Sequence, residues 1–174
     1  MVLRPDKFTE QAQEVLAKSQ EVIQRYMNNQ WDSGHVFMAI LELEEGVPAE
    51  VLRSIGVSVA DMRDSLHRRL DAAPKIAGES SQVFMTPRIE RMLDIASAEA
   101  DRLNDEFVGT EHILVALVKE DRCDASEVLK EFNVDLEGIY QALQKIRGAH
   151  RITDPRAENR YRSLERYSTD LTGL

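Results

Sequence analysis

The chain contains one cysteine, Cys123, and no second thiol. It can form no internal disulfide and cannot build a thiolate metal site, so the composition fits a reducing compartment and a fold held by its core. A phosphate-binding loop needs a Gly-Lys step, and no glycine here is followed by lysine, so an ATPase site of that type is excluded within these residues. The four histidines, His35, His67, His112 and His150, form no HExxH pattern and pair with no cysteine. No cofactor and no metal ligand is therefore expected in this chain. A Ser-His-Asp set carries no signal, because a chain of this length always holds candidates, and no catalytic residue is assigned. No run of eighteen apolar residues is present. The start, Met1-Val2-Leu3-Arg4-Pro5-Asp6, lacks a charged-then-apolar leader, and the chain reads as cytoplasmic. An excess of positive charge is missing too, since the net charge is −9.

That charge is unevenly spread. Residues 147–174 hold six arginines against four acids, which leaves residues 1–146 with 16 bases and 27 acids, a net of −11. Such a body repels nucleic acid phosphates and anionic lipid, so neither nucleic acid nor membrane is an expected partner. In the tail, Glu158 and Arg162 lie four residues apart, as on the exposed side of a helix.

What the chain does have is a repeat. Shifted by 77 residues without a gap, 8–70 aligns with 85–147. Thr9 meets Thr86, Leu16 meets Leu93, Arg25 meets Arg102, His35 meets His112 and Ala39 meets Ala116. Glu50-Val51-Leu52 meets Glu127-Val128-Leu129, Val57 meets Val134 and Leu66 meets Leu143. Apolar positions keep register throughout, which marks a duplication.

Each half reads as four helices. The first carries Phe8, Ala12, Val15, Leu16, Ile23 and Tyr26 behind the cap Thr9; its counterpart starts Thr86-Pro87 and carries Ile89, Leu93, Ala96 and Leu103. The second helices are expected to be capped by Ser33 and Thr110, and their strongly apolar character suggests a buried centre. Third helices are predicted over 48–55 and 125–132, each ended by a residue that tolerates a left-handed backbone, Gly56 or Asn133. Fourth helices start at Ser58, with Asp61 in capping-box position, and at Asp135. The fold class is all-α, with two tandem pseudo-twofold four-helix repeats followed by a linker helix. Residues 1–147 form the domain, 71–84 an exposed joint between repeats, and 148–174 a linker whose helix starts near Asp154 or Pro155 and carries Tyr161, Leu164 and Tyr167.

Two features near helix starts are candidates for function. His35 and His112 occupy equivalent places, where each either packs in its own repeat and bonds the backbone or meets the other, with Glu111, around a metal. Glu111 and the pair Asp105-Glu106 put carboxylates near the start of the sixth helix, where they either cap it electrostatically or flank a groove that takes a partner.

The duplicated pattern, the start "PDKFTEQAQEVL", the inter-repeat "MTPRIERMLDIA" and the segment "GTEHILVALV" resemble the N-terminal domain of Clp ATPases, the ring-forming AAA+ unfoldases. The resemblance covers residues 5–147, and the tail "RGAHRITDPRAENRYRSLERYSTDLT" is similar to the linker of the ClpB-type disaggregases. It implies a mobile domain that binds unfolded or aggregated polypeptide and hands it to a hexameric motor, with ATP and magnesium in the absent motor modules, a homohexameric parent and an Hsp70-type chaperone as collaborator. It also implies substrate contacts in an apolar groove near the start of the first helix and the GTEH-like segment, which points to Thr9, Asp105 and Glu111. Repeat one departs from this pattern, because Gly34 stands where repeat two has Glu111. That argues against a twofold phospho-arginine site of the ClpC kind. The alternative function is docking of folded adaptor or regulatory proteins through the acidic face, as for a protease-associated ClpC or ClpA type.

Overall fold

The computed structural model describes residues 5–76, 82–148 and 150–156. After a single 3-10 turn at Pro5–Lys7, the first repeat holds α1 (Glu10–Tyr26), β1 (Gln30–Trp31), α2 (Ser33–Glu42), α3 (Val47–Ile55) and α4 (Val59–Ala72). The second holds β2 (Phe84–Met85), α5 (Pro87–Arg102), α6 (Thr110–Lys119), α7 (Asp124–Glu131) and α8 (Leu136–Arg147). The all-α reading stands, with two-residue strands added where period-2 patterning is too short to register. Residues 77–81 of the joint and the expected linker helix with Tyr161, Leu164 and Tyr167 lie outside the described residues.

Most helix ends follow the local chemistry. The Oγ of Thr9 accepts the Ala12 N–H at 3.1 Å, that of Ser58 the Asp61 N–H at 3.2 Å, and the Asp135 carboxylate the Gly138 N–H at 2.8 Å. Gly56 and Asn133 close α3 and α7 with φ of 95° and 58°, in the left-handed region. The caps of α2 and α6 differ from expectation by one residue. They are Asp32 and Gly109, while Ser33 and Thr110 are already helical and buried. The Asp32 carboxylate accepts the Ser33 N–H at 2.8 Å, a stronger acceptor than a hydroxyl.

Packing joins the repeats by exchange. α1 lies on α2 and α5 on α6, but α3 packs on α8 and α4 on α7, so the third helix of each repeat rests on the fourth helix of the other. Phe37, Ile40 and Leu41 of α2 and Ile113, Leu114 and Leu117 of α6 are fully buried in one continuous cluster. The backbone exchange is crossed in the same way. Trp31 pairs with Met85 in the β1–β2 parallel ladder, and Val108 forms a parallel bridge with Phe8. Adding or subtracting 77 converts one pair into the other. The Thr86 N–H bonds the Trp31 carbonyl at 3.0 Å, and the Thr9 N–H bonds the Val108 carbonyl at 3.0 Å. These crossed contacts relate the two repeats by a pseudo-twofold axis.

One charged cluster sits on this junction. Arg88 reaches Asp32 at 2.8 Å and Glu120 at 3.8 Å, and the Cys123 thiol donates to Glu120 at 3.6 Å. The Glu120 side chain is 6% exposed. Its Oε1 has no hydrogen-bond partner among the described residues. Burial pushes its carboxyl up to about 7, Asp32 adds to the rise, and the thiol and Arg88 only partly oppose it. A carboxyl raised in the folded state contributes its stability fully below the unfolded value near 4.5 and loses it as the pH climbs through about 7. Glu120→Gln should therefore gain on the parent between pH 5 and pH 8 by up to about 3 kcal/mol in urea titrations at each pH. A difference that stays flat across that range would show that the carboxyl titrates normally.

Candidate functional site

His112 lies at the third residue of α6, where its Nδ1 accepts the Gly109 N–H at 2.8 Å. An acceptor Nδ1 places the ring proton on Nε2, which donates to Asp105 Oδ2 at 2.8 Å. His35 repeats the arrangement, with Nδ1 taking the Asp32 N–H at 3.0 Å and Nε2 donating to Asn28 Oδ1 at 2.8 Å. Burial lowers the His35 pKa, which keeps the ring in this neutral form. Each histidine thus serves as a side-chain cap inside its own repeat.

Around His112 the second repeat adds charge. Arg147, at the end of α8, bonds Asp105 Oδ1 at 2.5 Å and Glu111 Oε2 at 3.1 Å, and all three side chains are buried. Burial alone would push the Asp105 carboxyl up. The bonds from His112, Arg147 and the Ile152 N–H outweigh it and hold the carboxyl at about 2. The same group anchors the chain beyond α8. Ile152 is fully buried, its N–H bonds Asp105 at 2.9 Å and its carbonyl accepts the Glu106 N–H at 2.7 Å. Arg147 also bonds the His150 carbonyl at 3.0 Å, and the Glu10 N–H, at the start of α1, bonds the Pro155 carbonyl at 3.0 Å. Residues 150–156 form a strap across the first turn of α1.

Thr9, Asp105 and Glu111 are therefore gathered, but inward. Thr9 and Glu111 are 0% exposed and Asp105 is 6% exposed. All three face internal partners, and the start of α1, where the resemblance placed a groove, is crossed by the strap. Asp105 and Glu111 pair with Arg147 in a buried clasp, because a carboxylate desolvated to this degree must stay with its cation. The first repeat makes no such clasp. The counterparts of Asp105, Glu111 and Arg147 are Asn28, Gly34 and Leu70. A Cβ on Gly34 would lie 3.1 Å from the Leu70 Cδ2, so leucine fills the space that the glutamate and arginine share in the second repeat. The missing glutamate is part of a coordinated exchange of three charged groups for three neutral ones.

Accessible chemistry lies at the pseudo-equivalent place, before α5. Val83, Phe84 and Met85 are 45%, 63% and 39% exposed. Met27, 59% exposed, belongs to the turn whose Asn29 carbonyl accepts the Phe84 N–H at 3.1 Å. These four are the large hydrophobic side chains left exposed among the described residues, and they share one end of the molecule. The sequence reading placed Val83 and Phe84 in an exposed joint without assigning them a task. Three consecutive apolar residues between Gln82 and Thr86, inside a stretch otherwise rich in Gly and Ser, were the available signal. A depression of about 570 Å³ beside Arg102, Tyr140 and Arg147 is a weaker candidate. Of its three arginines, Arg102 is bound to Glu99, Arg147 to the Asp105–Glu111 pair, and Arg151 bonds the His150 carbonyl at 3.4 Å.

Residues 7–132 match the Clp repeat (R) N-terminal domain family. The chain is similar to the chaperone protein ClpB 1 of Synechocystis sp., 34% identical over 168 residues that cover 97% of this chain and 18% of that protein. It is also 34% identical to the chaperone protein ClpB of Rhodopirellula baltica, over 100% of this chain and 20% of the relative. The chain thus spans about a fifth of the length of these curated relatives. Among solved structures, the Hsp104 N-terminal domain from Candida albicans superposes with a TM-score of 0.76 at 19% identity, over 87% of this chain and 99% of that one. That likeness concerns the fold.

The clasp makes a direct prediction. Arg147→Leu leaves two buried carboxylates without their cation and should cost about 3–5 kcal/mol of folding stability in urea titrations. Adding Asp105→Asn and Glu111→Gly, which rebuilds the neutral set of the first repeat, should recover at least about half of that loss. A single variant that loses under about 1 kcal/mol would show that the clasp holds nothing together.

Proposed function

The chain belongs to the Clp repeat N-terminal domain family, and from that membership we propose that it captures unfolded or aggregated polypeptide for an ATP-driven protein disaggregase or unfoldase. The domain is non-catalytic in this reading, and the longer parent supplies a homohexameric AAA+ motor with its ATP and magnesium and works with an Hsp70-type chaperone. The observation that carries the reading is the exposed apolar set Met27, Val83, Phe84 and Met85, while the other large apolar side chains among the described residues are buried or partly buried. An unfolded chain differs from a folded one chiefly in its exposed apolar segments, and this surface selects for them. Thr9, Asp105 and Glu111 belong to the pseudo-equivalent edge at α1, where Thr9 holds one of the crossed strand contacts and Asp105 bonds the strap at Ile152.

The magnitudes fit a capture site that releases. Covering roughly 300–400 Å² of apolar surface at about 25 cal/mol/Å² contributes some 8–10 kcal/mol before association costs of about 4–15 kcal/mol. Binding by one isolated domain then falls near millimolar to tens of micromolar, and several copies on one ring compensate through effective concentration. Amide shifts of the isotope-labelled chain, titrated with a permanently unfolded protein at two salt concentrations, test this. The expected result is salt-tolerant shifts at Met27 and at Val83 to Met85, and about tenfold weaker binding after Phe84→Ser with Met85→Ser. Binding unchanged by that pair, with the fold intact, removes the site. A salt-sensitive interaction confined to basic folded proteins favours adaptor docking instead.

A further inference from the structure

In a parallel pair, a residue bonds the two neighbours of its register mate, so the mate's own N–H and C=O point away from that strand. Val108 takes the Thr9 N–H at 3.0 Å and donates to the Lys7 carbonyl at 2.8 Å, which turns the backbone groups of Phe8 outward. Trp31 takes the Thr86 N–H at 3.0 Å and has Met85 as its register mate, which turns the groups of Met85 outward in the same manner. The molecule therefore carries the same short edge twice.

Only one copy is filled by the chain itself. At the first, the Phe8 carbonyl accepts the Gln13 side-chain amide at 3.1 Å, and the Glu10 N–H bonds Pro155 of the strap at 3.0 Å. Phe8 is consequently 6% exposed. At the second, the residue equivalent to Gln13 is Glu90, which has no side-chain N–H, and the residue equivalent to Glu10 is Pro87, which has no backbone N–H. Met85 stays 39% exposed, and among the described residues nothing bonds its outward N–H and C=O. A pair of unused backbone groups beside exposed Phe84 is a template for another strand.

We propose that the outer edge of β2 takes an extended apolar segment of an unfolded polypeptide as an added strand, paired through the backbone of Met85, in the place that the chain's own strap and Gln13 fill at the pseudo-equivalent edge. Backbone pairing supplies affinity without sequence preference, and the apolar set around it selects hydrophobic segments. The acidic body, net −11 over residues 1–146, steers the occupant towards neutral or basic segments. This deepens the substrate-capture reading and rests on it.

The test uses the whole chain and a Leu- and Val-rich seven-residue peptide, together with two versions N-methylated at alternate residues in either register. The unmodified peptide is expected to bind and to slow hydrogen exchange at the Met85 amide, and one N-methylated register is expected to bind about tenfold more weakly than the other. Equal binding of all three peptides overturns strand addition and leaves apolar capture intact. No binding of any of them overturns both. Glu90→Gln, which supplies the amide that Gln13 provides at the other edge, should weaken the peptide by about threefold or more. Unchanged affinity in that variant would overturn the pairing at the Met85 carbonyl.

Discussion

Helices α2 and α6 have no side that can face water. Nearly every residue of both is buried, polar ones included, so each needs neighbours on all sides. Four helices from one repeat of about 60 residues do not suffice. The exchange of α3 and α4 onto α8 and α7 supplies the missing cover, and the crossed contacts of Trp31 with Met85 and Phe8 with Val108 follow from the same axis. The cap histidines belong to this constraint as well. A buried helix start cannot leave its N–H groups to solvent, so His35 and His112 satisfy them from within.

On this common frame the two halves have diverged in matched groups of residues. One half closes its histidine with Asn28, Gly34 and Leu70; the other uses Asp105, Glu111 and Arg147 and so gains a cation that also grips the chain beyond α8. The strand edges diverge in parallel. Gln13 and the strap complete one, and Glu90 and Pro87 are unable to complete the other. A duplication thus yields one end that is sealed by its own chain and one that presents apolar side chains and backbone groups outward.

The carboxylates show why burial decides a residue's task. Read along the chain, Asp105 and Glu111 are acids close to a helix start, compatible with capping or with contacting a partner. In three dimensions Arg147 and His112 surround them, and the bonds that hold Asp105 in its charged form leave it no spare direction. Glu120 is the opposite case, with burial stronger than its partners. Neither outcome is written in the neighbouring residues, since deciding groups lie as far away as Ile152, 47 positions from Asp105, and Asp32, 88 positions from Glu120.

The sequence by itself determined the duplication, the eight helices, most of their caps and the absence of phosphate-loop chemistry, because each depends on residues a few positions apart or on a fixed shift of 77. It also located the GTEH-like segment and its histidine twin. Only the tertiary structure decided that Thr9, Asp105 and Glu111 turn inward, that residues 150–156 strap the domain, and that Val83 to Met85 remain uncovered. Periodicity tells which face of a helix is apolar, whereas which neighbour covers that face, or fails to, is settled by contacts between residues far apart in the chain.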